Sequence, residues 1–291
     1  MKPIILIGMG RSGTTIIFEA LARHPKVGFF SNYTDKFFKL PQISIVHRFL
    51  KFGEKPQGQR TSLFNKFLPK TSEAYYTWSR LCGDKFRFSF MKNIKPTSYE
   101  IDKVKSYVSK ILYWEGKERF IMKITGPPRL EFLHGIFPDA YFVDIIRDPR
   151  AVVASLLNVS FWKQRGLTKP FWENTLDEET MDLWKNKYDS TPESLAALEN
   201  LEVYKQTNKE LKATKANYLR IKYEDFVANP IEQTKIICNF SNLDWSEKIG
   251  NYINSKIYKN MNYKYKERLT KEQIRIIEEI SAPIINEIGY R

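Results

Sequence analysis

The residues best equipped for chemistry lie in one short run near the start of the chain, Gly8-Met9-Gly10-Arg11-Ser12-Gly13-Thr14-Thr15. Glycines at this spacing let a backbone turn tightly enough to aim several N–H groups at one centre. A helix beginning at Thr14 adds the partial positive charge of its first turn. Arg11 places a full positive charge inside the same loop. Together these features suit a diphosphate-like anion. The spacing is also that of nucleoside-triphosphate loops, but Thr14 stands where such a loop carries the Lys that reaches the terminal phosphates. An ATPase or GTPase further needs an acidic metal partner at the end of another strand, and Asp144 is the acid so placed. A kinase-like, ATP-dependent phosphotransferase is therefore the rival enzymatic reading.

A second basic corner follows in Ile146-Arg147-Asp148-Pro149-Arg150, with Ser155 further along. An Arg at a strand end can meet an anion through two N–H groups at once, which Lys cannot do. Ser155 can offer a hydroxyl to the same anion. By itself this corner is better explained as an Arg–Asp pair at a helix cap with a solvated Ser. A third charge, Lys123, interrupts the apolar run Phe120-Ile121-Met122-Lys123-Ile124. Strand interiors seldom bury an unpaired ammonium, so this side chain either reaches an anion or extends to water.

Four apolar runs must position these groups: Ile4 to Ile7, Phe120 to Ile124, Tyr141 to Ile146, and Asn217 to Lys222. Short, continuous and rich in β-branched residues, they read as strands covered on both faces. Each leads into a helix signal. Thr14 to Arg23 puts Ile17 and Leu21 on one face and stops at Pro25, and Pro127-Pro128 opens Arg129 to Gly135. Asp148 as N-cap and Pro149 in the first turn open Arg150 to Asn158, and Pro230 opens Ile231 to Phe240. Lys271 to Ile288 is a further, structural helix. This alternation predicts an α/β fold, a three-layer parallel sheet with a P-loop-like first strand-loop-helix. Such sheets bind ligands where strands end and helices begin, which groups the loops 8–15, 123–129 and 146–150 on one edge.

The composition agrees. The 291 residues are 42% hydrophobic and 27% charged, as in ordinary globular chains. No apolar run approaches the length of a membrane span, and Met1-Lys2-Pro3 leads straight into the first strand, so neither a membrane span nor a signal peptide is expected. Cys82 and Cys238 make no disulfide framework and no metal site, and a cytoplasmic location is the expectation. Basic residues outnumber acidic ones 47 to 33, a net charge of +14, which points to a polyanionic partner: nucleic acid, anionic lipid or a phosphorylated small molecule. Residues 36–118 hold 17 Lys and Arg against 7 Asp and Glu, so most of the surplus is there, interleaved with 16 aromatic rings.

Gly10-Arg11-Ser12-Gly13-Thr14-Thr15 resembles the 5′-phosphosulfate loop of sulfotransferases that use 3′-phosphoadenosine-5′-phosphosulfate (PAPS). The bacterial and tyrosylprotein-sulfotransferase branch is the most similar, with its Arg in the loop and a first helix ending in His-Pro, here His24-Pro25. The family's 3′-phosphate motif, an Arg at a strand end with a Ser eight residues on, is matched by Arg147 and Ser155. Leu219 to Pro230 resembles the late strand-to-helix segment, with Tyr223 at a cofactor contact, and Ile285 to Tyr290 resembles the close of these chains. The resemblance touches residues 3–27, 119–158 and 217–290, but not 36–118. It implies one sulfotransferase domain over 1–291 and PAPS as the donor, with adenosine 3′,5′-bisphosphate released. Cofactor contacts fall to Gly10, Arg11, Ser12, Gly13, Thr14, Thr15, Arg147, Ser155 and Tyr223, and Lys123 matches a catalytic Lys. Arg11 and the Thr14 and Thr15 hydroxyls would stabilise charge on the oxygen bridging sulfur and phosphorus. A sulfuryl group carries one negative charge fewer than a phosphoryl group, so positioning and cationic donors can suffice, and no metal is expected.

The chain departs from that branch at the base. The branch places a Glu shortly after His-Pro-x-Val, whereas His24-Pro25-Lys26-Val27 runs on to Asp35 without one. Asp35, the nearest carboxylate, is expected to deprotonate the acceptor, with His47 second. An amine acceptor needs a weaker base or none, so hydroxyl and amine acceptors both stay open. Residues 36–118 carry Lys66-Phe67, Tyr75-Tyr76-Thr77-Trp78, Phe86-Arg87-Phe88 and Tyr113-Trp114. They are expected to form an acceptor-binding cap inserted between the first and second strands, its partner a small molecule, with no nucleic acid and no stable membrane insertion. A nucleic-acid-binding protein acting through these rings and charges is the rival from outside the enzymes. Asn254 to Arg268, with Lys264 and Arg268, either closes over the 3′-phosphate or is a solvated charge run.

Overall fold

A computed structural model describes residues 1–50 and 68–290. Among them, one sheet of five parallel strands is formed by β1 (Ile4–Ile7), β2 (Val27–Phe29), β3 (Arg119–Lys123), β4 (Tyr141–Ile146) and β5 (Asn217–Lys222), in the order β2-β3-β1-β4-β5. The four expected strands are present. β2 was not expected: three residues around Gly28 are too few to show a period. Its presence moves the segment 36–118, which lies between β2 and β3 rather than between β1 and the strand that follows it.

Alternation along β1 builds the layers. Ile5 and Ile7 join Phe120, Met122 and Phe142 on one face, while Ile4 and Leu6 join Ile121, Val143 and Ile145 on the other. The first face is covered by the helices Ser98–Glu115 and Leu130–Ile136, the second by Thr14–Leu21 and Pro230–Phe240. A third apolar cluster binds the helices Pro149–Leu156, Pro192–Thr214 and Lys271–Ile288 through Val152, Leu195 and Ile277. Thr97 and Glu100 close a capping box at the start of Ser98–Glu115, and Gly116 ends it in a left-handed turn at φ 63°.

Many rings of the basic segment are interior. Trp78 and Phe86 are fully buried and stacked at 4.4 Å, and Phe30 packs edge-on to Trp78 at 5.8 Å. Fully burying a ring such as Phe86 contributes roughly 1.5–3 kcal/mol of apolar transfer, so the described part of the segment is bound into the core. The Lys66-Phe67 pair lies outside the described residues. Among those described, no helix is long and apolar enough to cross a membrane.

The order of the strands fixes where a ligand goes. From β1 the chain moves outward to β2, returns through β3, and reaches β4 on the other side of β1. β1 and β4 are hydrogen-bonded neighbours, with Ile7 opposite Asp144, so the loops that follow them leave the sheet side by side at the switch point.

Candidate functional site

The first loop is shaped by contacts that only its own residues satisfy. Gly8 leaves β1 at φ 140°, and a Cβ there would lie 2.4 Å from the Ile145 carbonyl oxygen. Arg11 and Gly13 adopt positive φ, 74° and 88°, which turns nearby amides toward a common centre. For Arg11 this costs on the order of 1 kcal/mol. Gly13 is the N-cap of the helix Thr14–Leu21, with no side-chain cap and no acid in the first turn. The first-turn amides therefore keep their affinity for an anion from outside the helix.

A cleft of about 400 Å³ opens above this loop. Every expected cofactor contact lines it except Ser12: Gly10, Arg11, Gly13, Thr14 and Thr15 from the loop, Arg147 and Ser155 from the end of β4 and the helix after it, and Tyr223 from the end of β5. Ser12 is the exception because a tight turn cannot present consecutive side chains to one side. It is buried beneath the loop in a separate cavity of about 30 Å³, beside Asp144 and Asn200, and its amide bonds the Met9 carbonyl at 3.2 Å.

The two basic corners are locked together. Arg11 Nε donates to Ser155 Oγ at 2.9 Å, and an Arg147 terminal N–H donates to the Arg11 carbonyl at 2.9 Å. Arg147 Nε donates to Asn262 Oδ1 at 2.9 Å, and its guanidinium lies 4.2 Å from the centre of the Tyr223 ring. That ring also fills the space a Cβ on Gly13 would need, at 2.3 Å. Burial lowers the pKa of Arg147 below that of a free guanidinium, an effect that leaves it cationic at neutral pH but makes a matching anion more valuable to it. Lys264 and Arg268, on the helix Lys264–Arg268, also line it, so that among the described residues five cations face one carboxylate, Glu73. A second, more apolar cavity of about 600 Å³, with Val227, Ile257 and Tyr258 in its wall, shares Ile16, Tyr223, Met261 and Lys264 with the cleft.

The model of the sulfotransferase family matches residues 3–247. The chain belongs to the sulfotransferase family. Omega-hydroxy-beta-dihydromenaquinone-9 sulfotransferase Stf3 of Mycobacterium bovis is 22% identical to it over 316 aligned residues, covering 99% of this chain and 75% of that protein. The protein of the same name from Mycobacterium tuberculosis matches to the same extent. The crystal structure of sulfotransferase STF9 from Mycobacterium avium shares the fold, with a TM-score of 0.61 at 16% identity over 98% of this chain and 76% of that one. The protein is thus an enzyme of sulfuryl transfer.

In this sulfotransferase Lys123 is buried and turned into the cleft. Its Nζ donates to Thr15 Oγ1 at 2.8 Å and pairs with Glu73 Oε1 at 2.8 Å. The other Glu73 oxygen accepts from Thr125 Oγ1 at 2.7 Å. Burial alone would raise the pKa of Glu73, but Lys123 and the hydroxyls of Thr125 and Tyr75 hold it below the ordinary carboxylate value. Sequence reasoning missed Glu73 because it belongs to no motif and lies 52 residues from Thr125. The available signal was Lys123 itself, a buried cation that needed a counter-charge.

The two expected bases are elsewhere. Asp35 Oδ1 accepts from the Thr77 amide at 2.8 Å and the Thr77 hydroxyl at 3.0 Å. It thereby caps the helix Tyr75–Cys82, whose N-cap Ala74 sits at φ 54° without a side-chain cap of its own. His47 is buried with Nδ1 2.6 Å from Glu115 Oε1, its ring stacked on Phe29 at 5.2 Å. It lines a different cavity, with His24 and Lys117, which precede β2 and β3 at the amino ends of the strands. His24 closes its turn as expected, accepting the Lys26 amide at Nδ1 and meeting the Asp244 carbonyl through Nε2. Asp144, the metal partner an ATPase would require, is buried under the loop against the Tyr218 hydroxyl at 2.7 Å and Arg220 Nε at 3.0 Å.

Proposed function

We propose that this sulfotransferase moves a sulfuryl group from PAPS to the hydroxyl or amine of a small-molecule acceptor and releases adenosine 3′,5′-bisphosphate. The observation that carries this reading is the interlocked pair of guanidinium corners, Arg11 and Arg147, on neighbouring strand ends beside a more apolar slot. Bound PAPS supplies a sulfuryl group already activated by its phosphate leaving group. The residues present fit it. Gly10, Arg11, Gly13, Thr14 and Thr15 would hold the 5′ end, while Arg147 and Ser155, with Arg268, would hold the 3′-phosphate. Tyr223, Ile16 and Tyr258 offer ring faces and apolar surface to a purine. The cationic surplus of the lining suits a donor with several negative charges.

Arg11 and Lys123 would meet the negative charge that grows on the leaving oxygen, in a site already arranged for it. The chain 1–291 acts as one domain in this reading, and residues 36–118 form the acceptor side, contributing Glu73 to the cleft wall. Phe161, half exposed, stands at the same cleft and offers a ring to the acceptor. Since Stf3 is named for a hydroxylated menaquinone, an apolar alcohol is the first acceptor to try. Calorimetric titration with adenosine 3′,5′-bisphosphate in EDTA, beside ATP with Mg²⁺, tests the donor. Binding of the bisphosphate without metal is expected, and binding of ATP–Mg²⁺ alone overturns the proposal.

A further inference from the structure

Resting on that reading of the cleft, we infer that Glu73 is the base that takes the acceptor's proton and that Lys123 locks it until the donor is bound. Glu73 is the one carboxylate lining the cleft among the described residues. It is firmly placed. Thr125 Oγ1 donates to it, and the Tyr75 hydroxyl bridges the Thr125 backbone behind it, donating to the carbonyl at 2.7 Å and accepting from the amide at 3.2 Å. The segment before it is tied to the end of β2 by Asn32 N–H to the Lys70 carbonyl at 3.0 Å and Ser72 N–H to the Phe30 carbonyl at 2.9 Å. A base must be held within hydrogen-bond reach of its proton, and this framework does that.

Lys123 stands between Glu73 and the loop, 2.8 Å from the carboxylate and 2.8 Å from the Thr15 hydroxyl. A carboxylate in contact with an ammonium is a weak base, because its ionised form is the favoured one. A sulfonate arriving beside Thr15 competes for the same ammonium. As Lys123 turns to that anion, Glu73 keeps its desolvation and loses its cation, so its proton affinity rises only when there is a group to transfer. Glu73 then removes the acceptor's O–H proton while the acceptor oxygen bonds to sulfur. The bond between sulfur and the 5′-phosphate oxygen breaks, its electron pair stays on that oxygen, and Lys123 and Arg11 face the charge. The proton leaves Glu73 to water after product release.

A plain structural role, in which Glu73 only neutralises a buried Lys123, predicts a different pattern: removing a negative charge from the cleft tightens both nucleotides alike and leaves turnover largely intact. Glu73→Gln keeps an acceptor for Thr125 but releases Lys123. The lock therefore predicts that this variant binds PAPS about tenfold tighter than the wild type, the equivalent of one pKa unit. Adenosine 3′,5′-bisphosphate, which has no sulfonate, should bind both proteins alike, and kcat should fall by at least about a hundredfold. Glu73→Asp, too short to hold Lys123, should repeat the tightening with partial turnover, and it serves equally if the Gln variant does not fold. Calorimetry with both nucleotides and single-turnover sulfation read these effects. PAPS affinity unchanged or weakened in both variants, or turnover of Glu73→Gln near that of the wild type, overturns the lock. Failure of the bisphosphate to bind the wild type would instead overturn the donor assignment.

Discussion

Lys123 meets Glu73 at 2.8 Å at the carboxyl end of the sheet, and His47 meets Glu115 at 2.6 Å at the amino end. Both pairs put a carboxylate against a basic side chain beside the edge of the sheet. They differ in access. The His47 and Glu115 side chains are each 1% exposed, whereas Glu73 is 27% exposed. The protein closes over Glu115: Phe29 donates its amide at 3.3 Å, and even a Cβ on Gly28 would come within 2.5 Å of the carboxylate. Burial pushes Glu115 above the ordinary carboxylate pKa, while Lys123 and two hydroxyls hold Glu73 below it. In the proposed reading the pairing is structural at Glu115, which the protein seals, and chemical at Glu73, which faces the cleft.

The contrast can be broken by moving each effect to the wrong pair. Lys123→Ala should lower kcat by about a thousandfold, as loss of a cation facing developing charge does, with the thermal midpoint read alongside. Glu115→Ala should do the reverse: removal of one partner of a buried pair costs about 3–5 kcal/mol of stability by denaturant titration, while turnover of the folded fraction stays within about twofold. A turnover loss at Glu115 comparable to that at Lys123 would end the distinction. Arg147→Ala should weaken adenosine 3′,5′-bisphosphate about ten- to a hundredfold in calorimetry, the worth of charged hydrogen bonds. Asp35→Ala should cost about 1 kcal/mol, the loss of a helix cap, and leave kcat within about twofold.

A third buried carboxylate sharpens the comparison further. Glu199 accepts the Phe171 amide at 2.8 Å, has no ion pair in the structure's described contacts, and is pushed up to about 8 by burial. Because its folded value lies above the unfolded one, the folded state holds a proton that the unfolded state has lost between about pH 4.5 and 8. Stability should therefore fall as pH rises through that window. Thermal melts of the wild type from pH 5 to 8 should show a steeper decline than those of Glu199→Gln, and parallel curves would remove Glu199 as the cause.

The wall of the cleft built by residues 8–15 and 147–155 could be read because its geometry is local. Gly8 to Thr15 is one strand-loop-helix unit, and Arg147 to Ser155 is another, so spacing along the chain nearly fixes spacing in space. Continuous apolar runs such as Ile4–Ile7 and Tyr141–Ile146 likewise suit strands covered on both faces. Ser12 shows the limit even there, since the direction of a side chain in a tight turn depends on dihedral angles that residue type does not state.

The opposite wall was closed to such reading. Strand β2 is too short to carry a pattern, and of the rings expected in the cap, Trp78 and Phe86 belong to the core. Asp35, Glu73 and His47 are carboxylates and an imidazole of the stretch between β2 and β3, and nothing in their types tells them apart. Only the path of the chain across the sheet brings Glu73 to Lys123, 50 positions on, turns Asp35 into a helix cap and seals His47 against Glu115. Residue types and local spacing by themselves determined four strands of the sheet, the glycine loop and the two guanidinium corners. Which carboxylate meets the cleft was decided by long-range packing, because burial and charge pairing depend on neighbours that sequence distance does not reveal.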